Sequence, residues 1–193
     1  MLHSLCWLLV GSALAQAPPS TVLTGPTGTL SWTVTNTSSG IVIEGRSPEW
    51  TVRHEASAGL QPRRTVRTDA GGRTVTVEYT AAGASVALPD ETVEHDAAGL
   101  WDSDTLDIRL GVHAAKGWPR DLEFRALDPS SGKLYSFEAE KLGDEDCGGT
   151  ACVHVELQLA GLLGAVAPDW NYWFAPSGQL LRFEGPMGEF QAW

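Results

Sequence analysis

The chain has 193 residues, and its 24 acidic residues outnumber its 13 lysines and arginines, which gives a formal net charge of −11 at pH 7. Because phosphate groups are bound by clustered Lys and Arg, this charge disfavours nucleic acid as a partner. The length is typical of one domain with a buried core.

The start of the chain has the pattern of a secretory signal peptide. An apolar stretch runs from Leu5 to Leu14, and the small residues Ala13 and Ala15 have the spacing that signal peptidase recognises. The alternative is an uncleaved anchor, but the apolar stretch is shorter than the ~20 residues that span a bilayer. We therefore predict a signal peptide over residues 1–15 and an exported protein, periplasmic or extracellular, that is soluble after cleavage. No other stretch of the sequence is long and apolar enough to span a membrane.

Residues 16–27 begin with Gln16-Ala-Pro-Pro-Ser20, a composition typical of an irregular connection. We predict that they form a flexible leader and that residues 28–193 form a single β-rich domain. Because the predicted signal peptide has no charged side chain, this domain carries the whole negative charge.

Alternation of β-branched and polar residues predicts strands in the first half of the domain. In the segment Arg73-Thr-Val-Thr-Val-Glu-Tyr79, we expect Val75, Val77 and Tyr79 to face a core and the residues between them to face water. The segments 31–35 and 41–44 flank the turn-rich stretch Asn36-Thr-Ser-Ser-Gly40, which predicts a hairpin. Further strands are expected near residues 49–55, 61–68 and 84–88.

The segment 103–115 allows two interpretations. Leu106, Ile108, Leu110 and Val112 alternate strictly with other residues, which favours a strand. A helix is favoured by Ser103 or Asp104 as the N-cap, by acidic residues in the first turn, and by the stop signals Gly117 and Pro119. Of the two, we prefer the helix.

Alternation resumes in the second half of the domain. Leu122, Phe124 and Ala126 share a face, and the turn Asp128-Pro-Ser-Ser-Gly132 leads into a strand over residues 133–140. Residues 153–159, 171–174 and 180–184 continue the pattern. Because the connections are too short for parallel crossovers, we expect an antiparallel meander.

Two cysteines lie close together in Cys147-Gly-Gly-Thr-Ala-Cys152, whereas Cys6 falls in the predicted signal peptide. An oxidising compartment favours a disulfide between Cys147 and Cys152. The alternatives are a redox-active pair and a metal site. The spacing is not that of a Cys-x-x-Cys redox motif, however, and no His or second Cys pair completes a zinc set. We therefore predict a structural disulfide, worth about 2 kcal/mol.

Several segments of the second half carry a resemblance to known proteins. They are Asp102-Ser-Asp-Thr-Leu, Leu122-Glu-Phe with Asp128 and Gly132, Tyr135-Ser-Phe-Glu, and Tyr172-Trp-Phe-Ala-Pro-Ser-Gly-Gln-Leu-Leu-Arg-Phe-Glu. On the basis of these segments, the region from about residue 40 to residue 186 resembles uncharacterised bacterial envelope proteins of the half-barrel, lipoprotein-carrier-like (Lol-type) class. The resemblance implies a mainly β fold, with a strongly curved antiparallel sheet (half-barrel), one short helix packed on or inside it, and an apolar cavity for an acyl or other hydrophobic group. It carries over no individual binding residue.

Aromatic residues near the end of the chain are the candidate ligand-binding residues. Trp170, Tyr172 and Phe174 share one strand face, Trp173 lies on the other, and Phe183 is close by in the next strand. Rings on a concave sheet surface are suited to lining a ligand pocket. Ordinary core packing or cross-strand pairing gives the same pattern.

The sequence contains no motif for catalysis, for a cofactor or for a metal. It has no Gly-x-Ser-x-Gly nucleophile elbow, no His-x-x-x-His or His-Glu-x-x-His zinc spacing and no phosphate-binding loop. Asp102, Asp104 and Asp107 form an acidic cluster of the kind that hard cations use, but the EF-hand pattern is absent and helix capping also explains the cluster.

We therefore arrive at two hypotheses of different classes. The preferred one is a non-enzymatic binding module for a hydrophobic or lipid-like ligand in the cell envelope, with no cofactor. The alternative is a structural or protein-interaction domain that docks on another envelope protein through its acidic face or a strand edge. Several polar side chains converging in a cleft would instead favour an enzyme.

Overall fold

The structure is a computed structural model, and it describes residues 20–119, 121–161, 164 and 167–192. The predicted signal peptide over residues 1–15, with Cys6, lies outside the described residues. The strands of the N-terminal half follow one another through short turns. They are β1 (Thr21–Gly25), β2 (Gly28–Thr37), β3 (Gly40–Arg46), β4 (Trp50–Ala56), β5 (Pro62–Asp69), β6 (Thr74–Tyr79), β7 (Ala84–Ala87) and β8 (Thr92–His95).

The C-terminal half contains a helix, α1 (Leu106–Ala115), which follows a short 3-10 turn at Ser103–Thr105. Within the described ranges no helix is long and apolar enough to cross a membrane. The strands of this half are β9 (Trp101–Asp102), β10 (Asp121–Asp128), β11 (Lys133–Asp146), β12 (Ala151–Leu159), β13 (Trp170–Phe174), β14 (Leu180–Gly185) and β15 (Gly188–Gln191).

These strands all belong to one sheet, in which nearly every strand pairs with its neighbour in the chain. The spatial order runs from β8 back to β1 and then from β15 back to β9. Every pair is antiparallel except β9 with β10. The two end strands, β8 and β9, are not paired with each other among the described strands, so the sheet is curved but unclosed. This confirms the predicted mainly β fold, a curved antiparallel sheet with one short helix.

Strand β1 corrects the predicted leader over residues 16–27, because Thr21–Gly25 is part of the sheet. The strand pairs with β2 on one side and with β15 on the other, and Leu23 is completely buried. The two residues Pro26 and Thr27 form the tight turn to β2. Proline here therefore marks a turn inside the sheet rather than a linker. β1 joins the two halves of the sheet.

Helix α1 packs against the concave face of the sheet. Leu106, Ile108, Leu110 and Ala114 belong to the main hydrophobic core, together with inner-face side chains from both halves of the sheet. Because the helix is buried on most of its circumference, its apolar residues do not form a single stripe, which is why the segment also matches the alternation of a strand. The helical interpretation of residues 103–115 is confirmed.

A disulfide closes the hairpin of β11 and β12. Cys147 and Cys152 are bonded as predicted, with their Cα atoms 6.0 Å apart, and Cys152 is buried. The bond lies at the turn end of the two strands, beside the pair Asp146 and Ala151.

Helix α1 contacts the sheet closely at two glycines, one in the helix and one in a turn of the sheet. Gly111 lies in the middle of α1, and a Cβ atom there would overlap the carbonyl oxygen of Gly178 in the turn between β13 and β14. A Cβ on Gly178 would overlap the Gly111 carbonyl in turn, and its φ of +82° is a left-handed conformation that favours glycine.

We expect Gly111→Ala to lower the free energy of unfolding by about 1–3 kcal/mol, because the added methyl group must displace backbone rather than a flexible side chain. In an exposed helix, replacing glycine by alanine stabilises the protein by up to about 1 kcal/mol. A loss of stability here would therefore show that α1 packs closely against the turn at Gly178. Urea unfolding measures it. Gly143→Ala is the control, because a Cβ there meets nothing within 4 Å. A Gly111→Ala protein as stable as the original would contradict this packing.

Candidate functional site

A cavity of about 220 Å³ lies between the concave face of the sheet and the start of α1, and we call it the interior cavity. Side chains from β2, β4, β5, β10, β13 and β14 line it, together with the 3-10 turn, the start of α1 and the turn after β14. Its apolar lining consists of Leu30, Trp32, Trp50, Leu106, Tyr172, Leu180, Phe183 and Met187. Its polar lining consists of Arg67, Ser103, Asp104, Asp107 and Asp128. Met187 is 43% exposed and marks the rim of the cavity at the protein surface.

Aromatic rings form much of the apolar wall. Trp32 and Trp50 lie with their ring centroids 6.4 Å apart. Tyr172 and Phe183 are paired directly across β13 and β14, with centroids 5.0 Å apart. Both pairs arise from strand alternation, which turns every second side chain toward the concave face.

The structure separates the four predicted ligand-binding residues into two groups. Tyr172 and Phe183 line the interior cavity. Phe174 is completely buried beside Gly111 of α1, where it has a packing role. Trp170 is half-buried and packs edge-on against Phe137, with centroids 6.1 Å apart, and it lines none of the cavities described here.

An ion pair occupies the polar end of the cavity. The Arg67 guanidinium donates a hydrogen bond to Oδ1 of Asp104, and it lies 5.0 Å above the Trp50 ring. Burial raises the pKa of Asp104 to about 7, helped by the nearby charge of Asp102 and opposed by Arg67. The second carboxylate oxygen of Asp104 is buried without a hydrogen-bond partner among the described residues.

Asp107 is the second buried carboxyl group of the cavity. It lies in the first turn of α1 and is 7% exposed, and its Oδ2 atom is buried without a hydrogen-bond partner in the part of the chain that the structure describes. Burial raises its pKa to about 7. Burial and the nearby Asp107 also raise the pKa of Tyr172.

Beside this cavity, a largely buried hydrogen-bond network joins the 3-10 turn to β4, β5 and β6. Thr65 donates to Oδ2 of Asp102 at 2.5 Å, and Tyr79 donates to the same oxygen at 2.7 Å. The Nδ1 atom of His54 lies 2.7 Å from the Thr65 hydroxyl and 3.5 Å from Asp102. Oδ1 of Asp102 accepts from the backbone N–H of Asp104, so Asp102 caps the turn instead of the predicted Ser103 or Asp104.

Several polar side chains thus converge, as a catalytic centre requires, but they lie inside the protein and away from the cavities described here. His54, Thr65 and Asp102 are each at most 2% exposed, and none of them lines a cavity described here. Because these three side chains are almost completely buried, we assign the network to stability.

The three carboxyl groups of the predicted acidic cluster have different surroundings. Asp102 accepts hydrogen bonds, Asp104 pairs with Arg67, and one oxygen of Asp107 has no hydrogen-bond partner in the described part of the chain. Among the described residues, no group of three or more His, Cys, Asp and Glu side chains is placed to hold a metal ion.

A second, larger cavity of about 590 Å³ opens on the other side of α1. Trp101 stacks on Phe124 with centroids 4.0 Å apart, and the Arg109 guanidinium lies 3.9 Å above the Trp101 ring. The lining of this second cavity also includes the charged residues Glu123, Arg125 and Glu138. The interior cavity is more apolar and more deeply placed, which makes it the better candidate site for a hydrophobic ligand.

Comparison with protein-family models and with curated proteins gives no match. Among solved structures, the chain is similar to the crystal structure of a β-barrel-like protein of a domain of unknown function, DUF1849, from Brucella abortus. The TM-score is 0.59 at 10% sequence identity, over 91% of this chain and 94% of that one. The chain therefore shares a barrel-like fold with that protein.

At this level of identity the likeness concerns the fold alone, and no residue or activity is carried over from it. Arg67, Trp50 and Trp32 were not among the residues predicted from the sequence to form a site, because in sequence each also matches an ordinary strand residue. The available signal was their placement on alternating strand positions that face the concave side.

Proposed function

We propose that this protein is an exported, non-enzymatic binding module whose interior cavity holds the apolar part of a hydrophobic or lipid-like ligand in the cell envelope. The observation that carries the proposal is an aromatic-lined cavity on the concave side of an unclosed sheet, with charged groups at one end. Ligand sites in proteins combine a mostly apolar lining with a few placed polar groups in this way.

The volume of the cavity limits the ligand. At about 220 Å³ it is larger than an engineered cavity of ~150 Å³ that binds benzene, and smaller than the ~300–1,000 Å³ of drug-sized sites. A short alkyl chain or a single ring fits, whereas a whole phospholipid does not. The ligand is therefore an amphiphile that inserts one apolar segment, with Met187 at the point of entry.

The resemblance to lipoprotein-carrier-like envelope proteins supports the same proposal. In that class a curved sheet surrounds an apolar cavity for an acyl group, and the predicted signal peptide would deliver this protein to the envelope. The charged outer surface, with a net charge of −11, suits a module that stays in solution while its ligand is held inside.

Filling the cavity tests the proposal. Octanol, an uncharged eight-carbon probe, is expected to bind the protein and to raise its melting temperature. Leu30→Phe adds volume at a residue that lines the cavity. We expect it to weaken octanol binding about tenfold or more, because the new ring occupies space that the alkyl chain of octanol needs. Isothermal titration calorimetry measures the affinity, and circular dichroism verifies that the variant is folded.

Val22→Phe is the matched control, because Val22 is 58% exposed and lies outside the cavity. It should bind octanol like the original protein. Equal octanol affinity in the Leu30→Phe and Val22→Phe proteins would refute the proposal, and so would an original protein that binds neither octanol nor a charged amphiphile with the same eight-carbon chain.

A further inference from the structure

We propose that the polar end of the ligand is a primary ammonium group held by Asp107 and Asp104, so that the interior cavity selects alkylamines over alcohols and carboxylates with the same chain. This inference rests on the proposed function and specifies its ligand class.

Buried polar atoms without partners point to a hydrogen-bonding ligand. Three side chains that line the interior cavity have such an atom among the described residues: Nε1 of Trp32, Oδ2 of Asp104 and Oδ2 of Asp107. Folded proteins pair nearly all of their buried polar atoms, so three in one cavity are unusual. Two of the three are carboxylate oxygens, which require a donor, and an ammonium group has three donors.

Charge selects a cation rather than a neutral donor. Asp104 is paired with Arg67, and the oxygens of Asp128 accept hydrogen bonds from Ser130 and Ser131 at 2.7 Å each. Asp107 is therefore the carboxyl group of this lining whose free oxygen has neither a cation nor a hydroxyl donor as a partner among the described residues. A buried carboxylate is stabilised most by a charge-assisted hydrogen bond from a cation.

The aromatic wall is compatible with a cation. The Arg67 guanidinium already lies over the Trp50 ring in this cavity, which shows that the ring faces attract positive charge here. Trp32 and Phe183 line the same space and offer further ring surface. A carboxylate ligand would instead meet the two buried acids Asp104 and Asp107 and be repelled by them.

The protonation of the two acids supports the same choice. Their pKa values of about 7 mean that Asp107 and Asp104 lose their protons near neutral pH, where an alkylammonium still has its charge. Arg67, Asp102, Asp128 and Tyr172 are the other titratable groups that face them. Uptake of an ammonium ligand should therefore increase as the pH rises from about 6 to about 8 and should release protons.

Three probes with one eight-carbon chain test the inference: octylammonium, octanol and octanoate. Titration calorimetry at about pH 8 should show octylammonium binding about tenfold or more tightly than octanol, and octanoate binding least. Asp107→Asn should remove this preference for octylammonium. Exposed Asp90→Asn, which changes the net charge equally, should keep it.

A pH series on the original protein gives a second readout that needs no variant. Octylammonium affinity should rise between about pH 6 and about pH 8, whereas octanol affinity should stay constant. If octanol binds as tightly as octylammonium, or if Asp107→Asn keeps the preference, the ammonium inference is wrong while the proposed function stands. If none of the three probes binds, both are overturned.

Discussion

Asp102→Asn is expected to lower the free energy of unfolding by about 3 kcal/mol at neutral pH. The carboxylate of Asp102 is completely buried and accepts hydrogen bonds from Thr65, Tyr79 and the backbone of Asp104. An amide offers one acceptor oxygen instead of two, so at least one of these donors is left unpaired. Because the network joins the 3-10 turn to three strands, the loss affects the seating of α1 as well.

The pH dependence of this effect has a definite sign. Burial opposes ionisation of Asp102, but the hydrogen bonding and charge of His54 and the hydroxyls of Thr65 and Tyr79 outweigh it and keep the pKa below its usual value of 3.8. A carboxyl group with a lowered pKa stabilises the folded state above its unfolded pKa, and this contribution is lost as the pH falls through the folded value. The difference in the free energy of unfolding between the original protein and Asp102→Asn should therefore become smaller below about pH 4.

Urea unfolding at about pH 7 and about pH 3 measures both expectations. Asp96→Asn is the control, because Asp96 is exposed and the substitution changes the net charge equally. An Asp102→Asn protein that is as stable as Asp96→Asn at pH 7 would show that the network does not stabilise the fold.

The second large effect has the opposite direction: Asp107→Asn should stabilise the protein at alkaline pH. Burial raises the pKa of Asp107 from 3.8 to about 7 in the folded protein. The folded state then binds more protons than the unfolded chain between these values, so stability declines as the pH rises from about 4 to about 7. Above pH 7 the penalty is on the order of 2–4 kcal/mol, and a neutral amide removes it.

Thermal unfolding of both proteins at about pH 5 and about pH 8 tests this expectation. The melting temperature of Asp107→Asn should exceed that of the original protein at pH 8, and the difference should shrink at pH 5. The exposed Asp90→Asn should show neither effect. A melting temperature lowered at pH 8 would mean that the Asp107 carboxylate is stabilised by its surroundings.

The expected gain in stability bears on function. A buried acid that destabilises the fold and lines a cavity is typical of a binding site, because such sites trade stability for interaction with a ligand. Bound octylammonium should offset the penalty, so it should raise the melting temperature of the original protein more than that of Asp107→Asn.

Local patterns predicted most of the fold. The alternation over residues 73–79 and the hairpin turn at residues 128–132 depend on neighbours in the chain, and both agree with the structure. Strand β1 was missed because it is short and because the prolines around it match an irregular connection, although it forms a hairpin with β2. Its other partner, β15, is far away in the sequence. A pairing between the two ends of a sequence leaves no local signal.

The candidate site was predicted only in part, for two physical reasons. The register of β13 and β14 shifts between Trp173 and Phe174, and α1 covers Phe174, so four aromatic residues that look equivalent in sequence have different surroundings. Asp107 and Arg67 are far apart in the chain and are brought to one cavity by the curvature of the sheet. In sequence, Asp107 matches an ordinary acidic residue in the first turn of a helix.

Native mass spectrometry of the protein purified from its own host tests the central claim most directly. We predict a polypeptide that begins at Gln16 and carries a non-covalently bound amphiphile, which is released by collisional activation in the mass spectrometer. The Leu30→Phe protein should lack this adduct. The original protein without an adduct, and still without one after incubation with octylammonium and octanol, would contradict the claim that the interior cavity is a ligand site.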